Sequence, residues 1–296
     1  MNRSPFFSVI IPTYNRASFI EATIQSVLNQ TFQDFEVIVV DDGSTDSTEE
    51  IVARFASKKI RYFKKRNEER GAARNFGVAK ATSTYVTFLD SDDILYQNHL
   101  QTAFQQIQLH PHHKVFHLGY EIRNEGGQVL NQISKLGTIN RALLSGNPMS
   151  CVGVFLQSQV AKENPFNEDR LLAGLEDWEA WLRIGAKYKF VAVNGITACL
   201  IEHSCRSVSS ASQEKLVLKM NAFILCVKLN QQLKLAYRDK LEYVVASVYT
   251  YTALHLLIDK SSKRLALKFL VNGISHNSFE IFRRRFYVIL KLLVMQ

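Results

Sequence analysis

Asp90, Ser91, Asp92 and Asp93 follow directly on Tyr85–Leu89, a short run of β-branched, aromatic and aliphatic residues. Such a run argues for a buried strand. Carboxylates crowded at its end repel one another unless a cation lies among them. Magnesium and manganese take oxygen ligands, commonly one or two carboxylates completed by waters and phosphates. A strand ending in Asp-x-Asp is therefore a natural holder for a metal and a diphosphate. An Asx-turn or a helix cap would explain an isolated DSDD equally well, so the neighbouring elements must decide.

Those elements alternate. Ser8–Pro12 reads as an apolar strand, followed by Thr13, Tyr14, Asn15 and Arg16 and then a helix carrying Phe19, Ile20, Ile24, Val27 and Leu28 at helical spacing. Phe35–Val40 is a second apolar strand that ends at Asp41, Asp42, Gly43 and Ser44, with Ser44 or Thr45 able to cap the next helix. Ile60–Phe63 is a third strand, and the loop NEERGAARN leads into a helix over Ala72–Ala79 and then to Tyr85. Buried strands alternating with helices predict a parallel sheet covered on both faces, with ligands beyond the C-terminal ends of the strands. That rule sets Thr13–Asn15, Asp41–Asp42 and Asp90–Asp92 along one edge. Arg70 and Arg74 face the same crevice, where a guanidinium suits phosphate; pairing with Glu68 or Glu69 at the surface is the plainer alternative.

Further along, Val115–Ile122 is a strand, Gly126 and Gly127 mark a turn, and Asn147–Phe155 should pass near the site with Cys151 as a packing residue. His110, Pro111, His112 and His113 read as a solvated helix terminus rather than a metal cluster. In GLEDWEAWLRIG, Trp178, Trp181, Leu182 and Gly185 fall on helical spacing. Glu176 and Asp177 begin that helix, where the dipole favours carboxylates. Phe190–Val193 and Thr197–Ile201 are short strands leading to Glu202, His203 and Ser204.

Taken together, SVIIPTYNR, QTFQDFEVIVVDDGSTDST, GAARNFG and FLDSDD resemble the inverting family 2 glycosyltransferases of GT-A fold, over roughly residues 7–205. The resemblance implies an α/β architecture of GT-A type: a mostly parallel nucleotide-binding sheet flanked by helices, spanning 1–210, before a helical C-terminal region at 211–296. It implies a nucleotide-sugar donor, usually a uridine diphosphate (UDP) sugar, with Pro12 and Tyr14 lining the base and Asp42 accepting a hydrogen bond from the uracil. Arg70, Arg74 and Ser91 would complete the donor site. Asp92 would be the principal ligand of a divalent Mn or Mg ion, with Asp90 supporting it. His203 would touch metal or diphosphate, although HSCRSVS fits the family spacing loosely. Asp177 matches the catalytic aspartate that deprotonates the attacking hydroxyl. The chain lacks the Q-x-x-R-W motif of processive synthases, which points to single additions to a glycan or lipid-linked acceptor in cell-surface polysaccharide or glycolipid synthesis. A sugar-nucleotide pyrophosphorylase would need a glycine-rich loop where this chain has Pro12-Thr13-Tyr14-Asn15. A non-catalytic membrane-docking module with a nucleotide-binding fold is disfavoured by the intact Asp42, Asp92 and Asp177.

Composition frames these readings. The 296 residues are 47% hydrophobic and 21% charged, a globular balance. Four cysteines without C-x-x-C spacing predict reduced thiols in a cytoplasmic setting. The N-terminus is too short in its apolar part for a signal peptide, and the absence of an uninterrupted run of about 18 apolar residues predicts no spanning helix. Residues 211–296 hold 14 Lys and Arg against 5 Asp and Glu, so the whole net charge of +9 lies there. That asymmetry points to an anionic surface. Helices are expected over Glu214–Leu235, Lys240–Ile258, Lys263–Ile274 and Phe279–Met295. The last joins three consecutive arginines to an apolar face of Phe279, Phe282, Phe286, Ile289 and Leu293. Such a helix suits either a peripheral position on the inner face of a membrane or the packing face of a bundle. Aromatics are not interleaved with the basic residues on any nucleic-acid-binding pattern, so nucleic acid is not expected.

Overall fold

The computed structural model describes residues 4–134, 136–203, 212–259 and 262–295. The chain divides into two compact units: residues 1–139, 148–180 and 188–206, and residues 140–147, 181–187 and 207–296. The boundary at 210 expected from sequence lies outside the described residues. So do Cys205 and the stretch from Ser204 that follows His203.

The first unit is one mixed sheet with helices. Its strands are β1 (Phe7–Thr13), β2 (Phe35–Asp41), β3 (Ile60–Lys64), β4 (Tyr85–Phe88), β5 (Ile94–Leu95), β6 (Val115–Asn124), β7 (Val129–Ile133), β8 (Val154–Gln157) and β9 (Val191–Glu202). They lie in the order β3-β2-β1-β4-β8-β6-β9-β5, with β7 beside β6. Strands β3, β2, β1 and β4 run parallel. Beyond β4 the pairing is antiparallel through β8 to β6, then parallel to β9 and antiparallel to β5. In chain order the helices here are α1 (Ile20–Leu28), α2 (Thr48–Ala53), α3 (Glu69–Lys80), α4 (His99–Leu109), α5 (Ile139–Ala142), α6 (Ser158–Glu163) and α7 (Glu176–Lys187), of which α5 beyond Ile139 and α7 beyond Ala180 belong to the second unit.

Strands β1 and β2 are buried on both sides, as their unbroken apolar sequences demand. Phe7, Val9, Ile11, Ile24, Val27, Val37, Val39 and Phe155 belong to one core cluster. Strand order reverses between β1 and β4, and in such sheets a crevice opens beyond the strand ends at that point. Register brings the ends level: Thr13 pairs with Asp41, Ile10 pairs with Phe88, and the Leu89 amide donates to the Ile10 carbonyl at 2.9 Å.

One expectation changes here. The two short strands at 190–201 are a single strand, β9, whose pairing with β6 shifts register around Gly119. Gly195 has φ +107°, a conformation that a side chain would strain, so the irregularity is absorbed within one strand.

The second unit is helical: α8 (Gln213–Leu229), α9 (Gln231–Tyr237), α10 (Leu241–Ile258), α11 (Lys263–His276) and α12 (Arg284–Met295). The helix expected over Glu214–Leu235 breaks at Asn230, whose side chain accepts from the Leu233 amide and starts α9. The helix expected from Phe279 begins only at Arg284; residues Ser278–Phe282 form a 3₁₀ turn capped by Asn277. Ala253, Leu256 and Leu257 of α10 pack against Ala266, Phe269 and Leu270 of α11 and Ile289 of α12. By length and composition alone Gln231–Ile258 could cross a membrane, but 61% of its apolar 18-residue window is buried, as in a core helix.

Candidate active site

The loop after β1 is locked to the loop after β2. Asn15 adopts φ +52°. Its amide donates to Ser44 Oγ at 2.9 Å and its Oδ1 accepts from the Thr45 amide at 2.8 Å. Asp41 holds this turn from below, accepting from the Ser44 amide at 2.7 Å and from the Tyr62 hydroxyl at 2.5 Å. Burial and that carboxylate push the Tyr62 phenol well up. Asp42 is buried and accepts from Lys65 Nζ at 2.8 Å and from the Glu68 amide at 3.0 and 3.1 Å. Pro12 is buried within β1, whereas the Tyr14 ring beyond it is 45% exposed.

The turn after β4 is fixed by its last aspartate. The Asp93 amide donates to the Asp90 carbonyl at 3.0 Å, its Oδ1 accepts from the Ile201 amide at 3.2 Å, and its carbonyl accepts from Thr23 Oγ1 at 3.0 Å. Asp93 therefore holds the turn, and Asp90 and Asp92 face other groups. Asp92 Oδ2 lies 3.1 Å from His203 Nε2 and 3.3 Å from Arg16 Nε. The His203 ring is buried and stacks on Phe19 with centroids 4.4 Å apart. Its Nδ1 has no hydrogen-bond partner among the described residues. Ser91 is buried in the same turn.

Arg74 joins this turn to α7. It is 2% exposed, donating from one terminal nitrogen to Glu176 Oε1 at 2.6 Å and from the other to Asp90 Oδ1 at 2.7 Å. Its guanidinium also lies over the Phe166 ring, 5.4 Å from the centroid. Arg74, expected from sequence to contact phosphate, is held in the interior by two carboxylates. Arg70 is more open, with Nε 4.0 Å from Glu176 Oε1. Gly71 allows the approach, since a Cβ there would stand 2.6 Å from the Asn167 carbonyl oxygen.

Beside Glu176, Asp177 stays partly exposed and accepts from the Trp178 amide at 2.7 Å. Desolvation is the largest cause pushing its carboxyl up to about 7, and the Glu176 charge adds to it; Arg74 and the Trp178 amide pull the other way. Three carboxylates, Asp90, Glu176 and Asp177, share the field of Arg74. Desolvation first, and the neighbouring negative charge after it, outweigh the helix dipole, which alone would lower the pKa of a first-turn carboxylate.

Two residues enter the site without having been singled out. Arg16 sits just past β1, and Lys65 follows the Asp41–Lys64 pairing of β2 with β3. Parallel register was the signal for Lys65, because it sets the residue after Lys64 beside Asp42. The histidines at 110–113 stay apart from the site: His110 and His113 stack 4.8 Å apart at the end of α4.

The β3-β2-β1-β4 order, the acidic turn after β4 and the paired carboxylates opening α7 define a GT-A-like α/β fold with a helical C-terminal region. The sequence profile of glycosyl transferase family 2 matches residues 8–155, and the chain belongs to that family. A match to an uncharacterized glycosyltransferase of Rickettsia bellii is 35% identical and covers 61% of this chain but 26% of the relative, so this chain spans only part of such proteins. Over 106 residues it is 41% identical to the GalNAc(5)-diNAcBac-PP-undecaprenol beta-1,3-glucosyltransferase of Campylobacter jejuni, covering 34% of each chain. Among solved structures, S. aureus TarS in complex with UDP-GlcNAc superposes with a TM-score of 0.71 at 22% identity, covering 97% of this chain and 88% of that one. The mannosyltransferase PcManGT of Pyrobaculum calidifontis, in complex with GDP-Man and Mn2+, gives 0.61 at 14% identity, covering 99% and 87%.

Proposed function

We propose that this chain transfers one sugar, with inversion, from a nucleoside diphosphate sugar to an acceptor hydroxyl, with Asp177 as general base. One observation carries the reading. Arg74 ties Asp90, in the acidic turn where a donor diphosphate would sit, directly to Glu176, the neighbour of a partly exposed aspartate poised near 7. A base with a pKa close to the working pH is both available and strong enough to take a proton from a hydroxyl. UDP is the favoured nucleotide, supported by the UDP-GlcNAc that TarS binds. The GDP-Man bound by PcManGT makes the base a point to test.

The residues divide by task. Tyr14 offers an exposed ring for stacking on a base. Asp42 Oδ2 accepts from the Glu68 amide and retains acceptor capacity for a ring N–H, while Lys65 and the same amide fix the carboxylate's direction through Oδ1. Arg70, loosely paired and partly exposed, is the guanidinium available to a phosphate. Asp92 and His203 fit a divalent cation: an oxygen and a nitrogen donor in contact, with a buried imidazole nitrogen lacking a partner. No cluster of three or more such groups occurs among the described residues, so donor phosphates and water would complete the shell. Bound there, Mn or Mg would neutralise charge developing on the departing diphosphate. Asp90 supports that site through Arg74. A lipid-linked or glycan acceptor accords with the polyprenyl-linked substrate in the name of the Campylobacter relative.

The test pairs one variant with a panel. Donor hydrolysis is screened across UDP- and GDP-sugars with and without metal, and transfer is measured for Asp177→Asn. Loss of a general base should reduce transfer about a hundred- to ten-thousand-fold and leave nucleotide affinity intact. A matching loss of nucleotide affinity would put Asp177 on the donor side and overturn its role.

A further inference from the structure

Helix α12 has two apolar faces, and the described residues cover only one of them. Phe286, Ile289 and Leu293 point into the second unit, where they pack with α10 and α11. At 100° per residue, Arg284, Tyr287, Val288, Lys291, Val294 and Met295 share the opposite arc, and all six are exposed. Val294 is 87% exposed, Met295 70% and Tyr287 58%. The preceding 3₁₀ turn exposes Phe279 and Phe282 as well, their rings 6.3 Å apart. Residues that sequence reading put on one stripe are therefore divided between core and solvent.

The arginine run is divided in the same way. Arg283 bonds Ser145 Oγ at 2.7 Å and Glu280 at 2.8 Å. Arg285 turns inward to the Ser247 carbonyl at 2.8 Å. Arg284 alone of the three is exposed, and Lys291 stands two turns on along the same face. Residues 262–295 contain 7 Lys and Arg and a single acidic residue, Glu280, which is 1% exposed. Among the described residues the outer face thus combines aliphatic and aromatic side chains with cations and carries no carboxylate side chain.

We infer that this face of α12 seats the protein on an anionic lipid bilayer. A second protein surface would have to supply acidic partners at the spacing of Arg284 and Lys291. A bilayer supplies anionic headgroups everywhere, and long basic side chains reach them while their stems and the apolar neighbours enter the interface. Tyr287 has the amphipathic ring suited to that boundary. The inference is independent of the catalytic reading, since it uses no residue of the proposed active site.

The test is co-sedimentation of the full chain with phosphatidylcholine vesicles, with and without phosphatidylglycerol, at low and high salt. Binding should require the anionic lipid and weaken with salt. Each cation near an anionic surface contributes about a factor of five, so Arg284→Gln with Lys291→Gln should weaken partitioning by about 25-fold. Val294→Ser with Met295→Ser should weaken binding at high salt as well, because the apolar part is not screened. Circular dichroism establishes that the variants are folded. Failure to bind anionic vesicles, binding unaltered in both folded double variants, or lipid-free self-association that the same substitutions abolish would each overturn the proposal.

Discussion

Arg74 and Glu176 should move the pH dependence of transfer in opposite directions. Arg74 is a cation at the centre of three carboxylates, bonded at 2.6 Å to Glu176 and 2.7 Å to Asp90. It lowers the Asp177 pKa, and Glu176 raises it. Two charges about 6 Å apart at an effective dielectric of about 20 interact by ~3 kcal/mol, or about two pH units. Because Asp177 is partly exposed, about one unit is the working expectation for each substitution. Arg74→Gln removes the cation and should carry the acid limb of the pH–rate profile upward, so that activity at neutral pH falls and recovers in mildly alkaline buffer. Glu176→Gln removes the adjacent anion and should carry the limb downward. Arg74→Lys, which keeps charge but cannot bridge both carboxylates as a planar fork, should leave the limb near its original position while lowering kcat. Stripping one partner from a buried pair also destabilises by about 3–5 kcal/mol, so urea unfolding establishes which variants are compared as folded proteins. Initial rates of transfer across pH supply the readout. Should folded Arg74→Gln and Glu176→Gln shift the limb in the same direction, or not at all, Asp177 is not the ionising group that limits the reaction.

Asp92→Asn should keep the fold and its place beside His203 while abolishing metal-dependent donor turnover; wild-type turnover in the folded variant would remove Asp92 from the metal site. Acid stability should depend on the buried pair His99 and His117, whose imidazoles burial pushes down to about 3. The unfolded chain takes up these protons near 6.5 and the native state only near 3, so their contribution is complete above about 6.5 and is lost as pH falls between those values, by up to about 5 kcal/mol for each histidine. His99→Gln, able to keep the bond to Thr197 seen at 2.8 Å, should flatten the fall in urea midpoint over that range, and an unchanged slope would show that other groups cause it.

The part of the candidate site built on β1, β2 and β4 is legible in sequence because it depends on strand ends. Unbroken apolar runs identify β1, β2 and β4, parallel pairing sets their C-terminal ends level, and the residues that follow are delivered to one crevice whatever the rest of the chain does. Arg74 is not legible in that way. Its partners lie 16 and 102 residues away, and no helical periodicity separates a guanidinium turned to solvent from one turned inward. The small residues around it, Gly71, Ala72, Ala73 and Gly77, were the available sign: they let α3 approach closely enough for a long side chain between them to run into the interior. The same limit explains α12. Composition shows that the helix is basic and apolar, but with apolar residues on both sides it does not show which set the core takes. That choice is made by α10 and α11, whose Leu256, Leu257, Phe269 and Leu270 cover Ile289 and leave Tyr287 and Val294 outside. Sequence thus places residues whose position follows from the backbone; those placed by a distant side chain become visible only when the chain is folded.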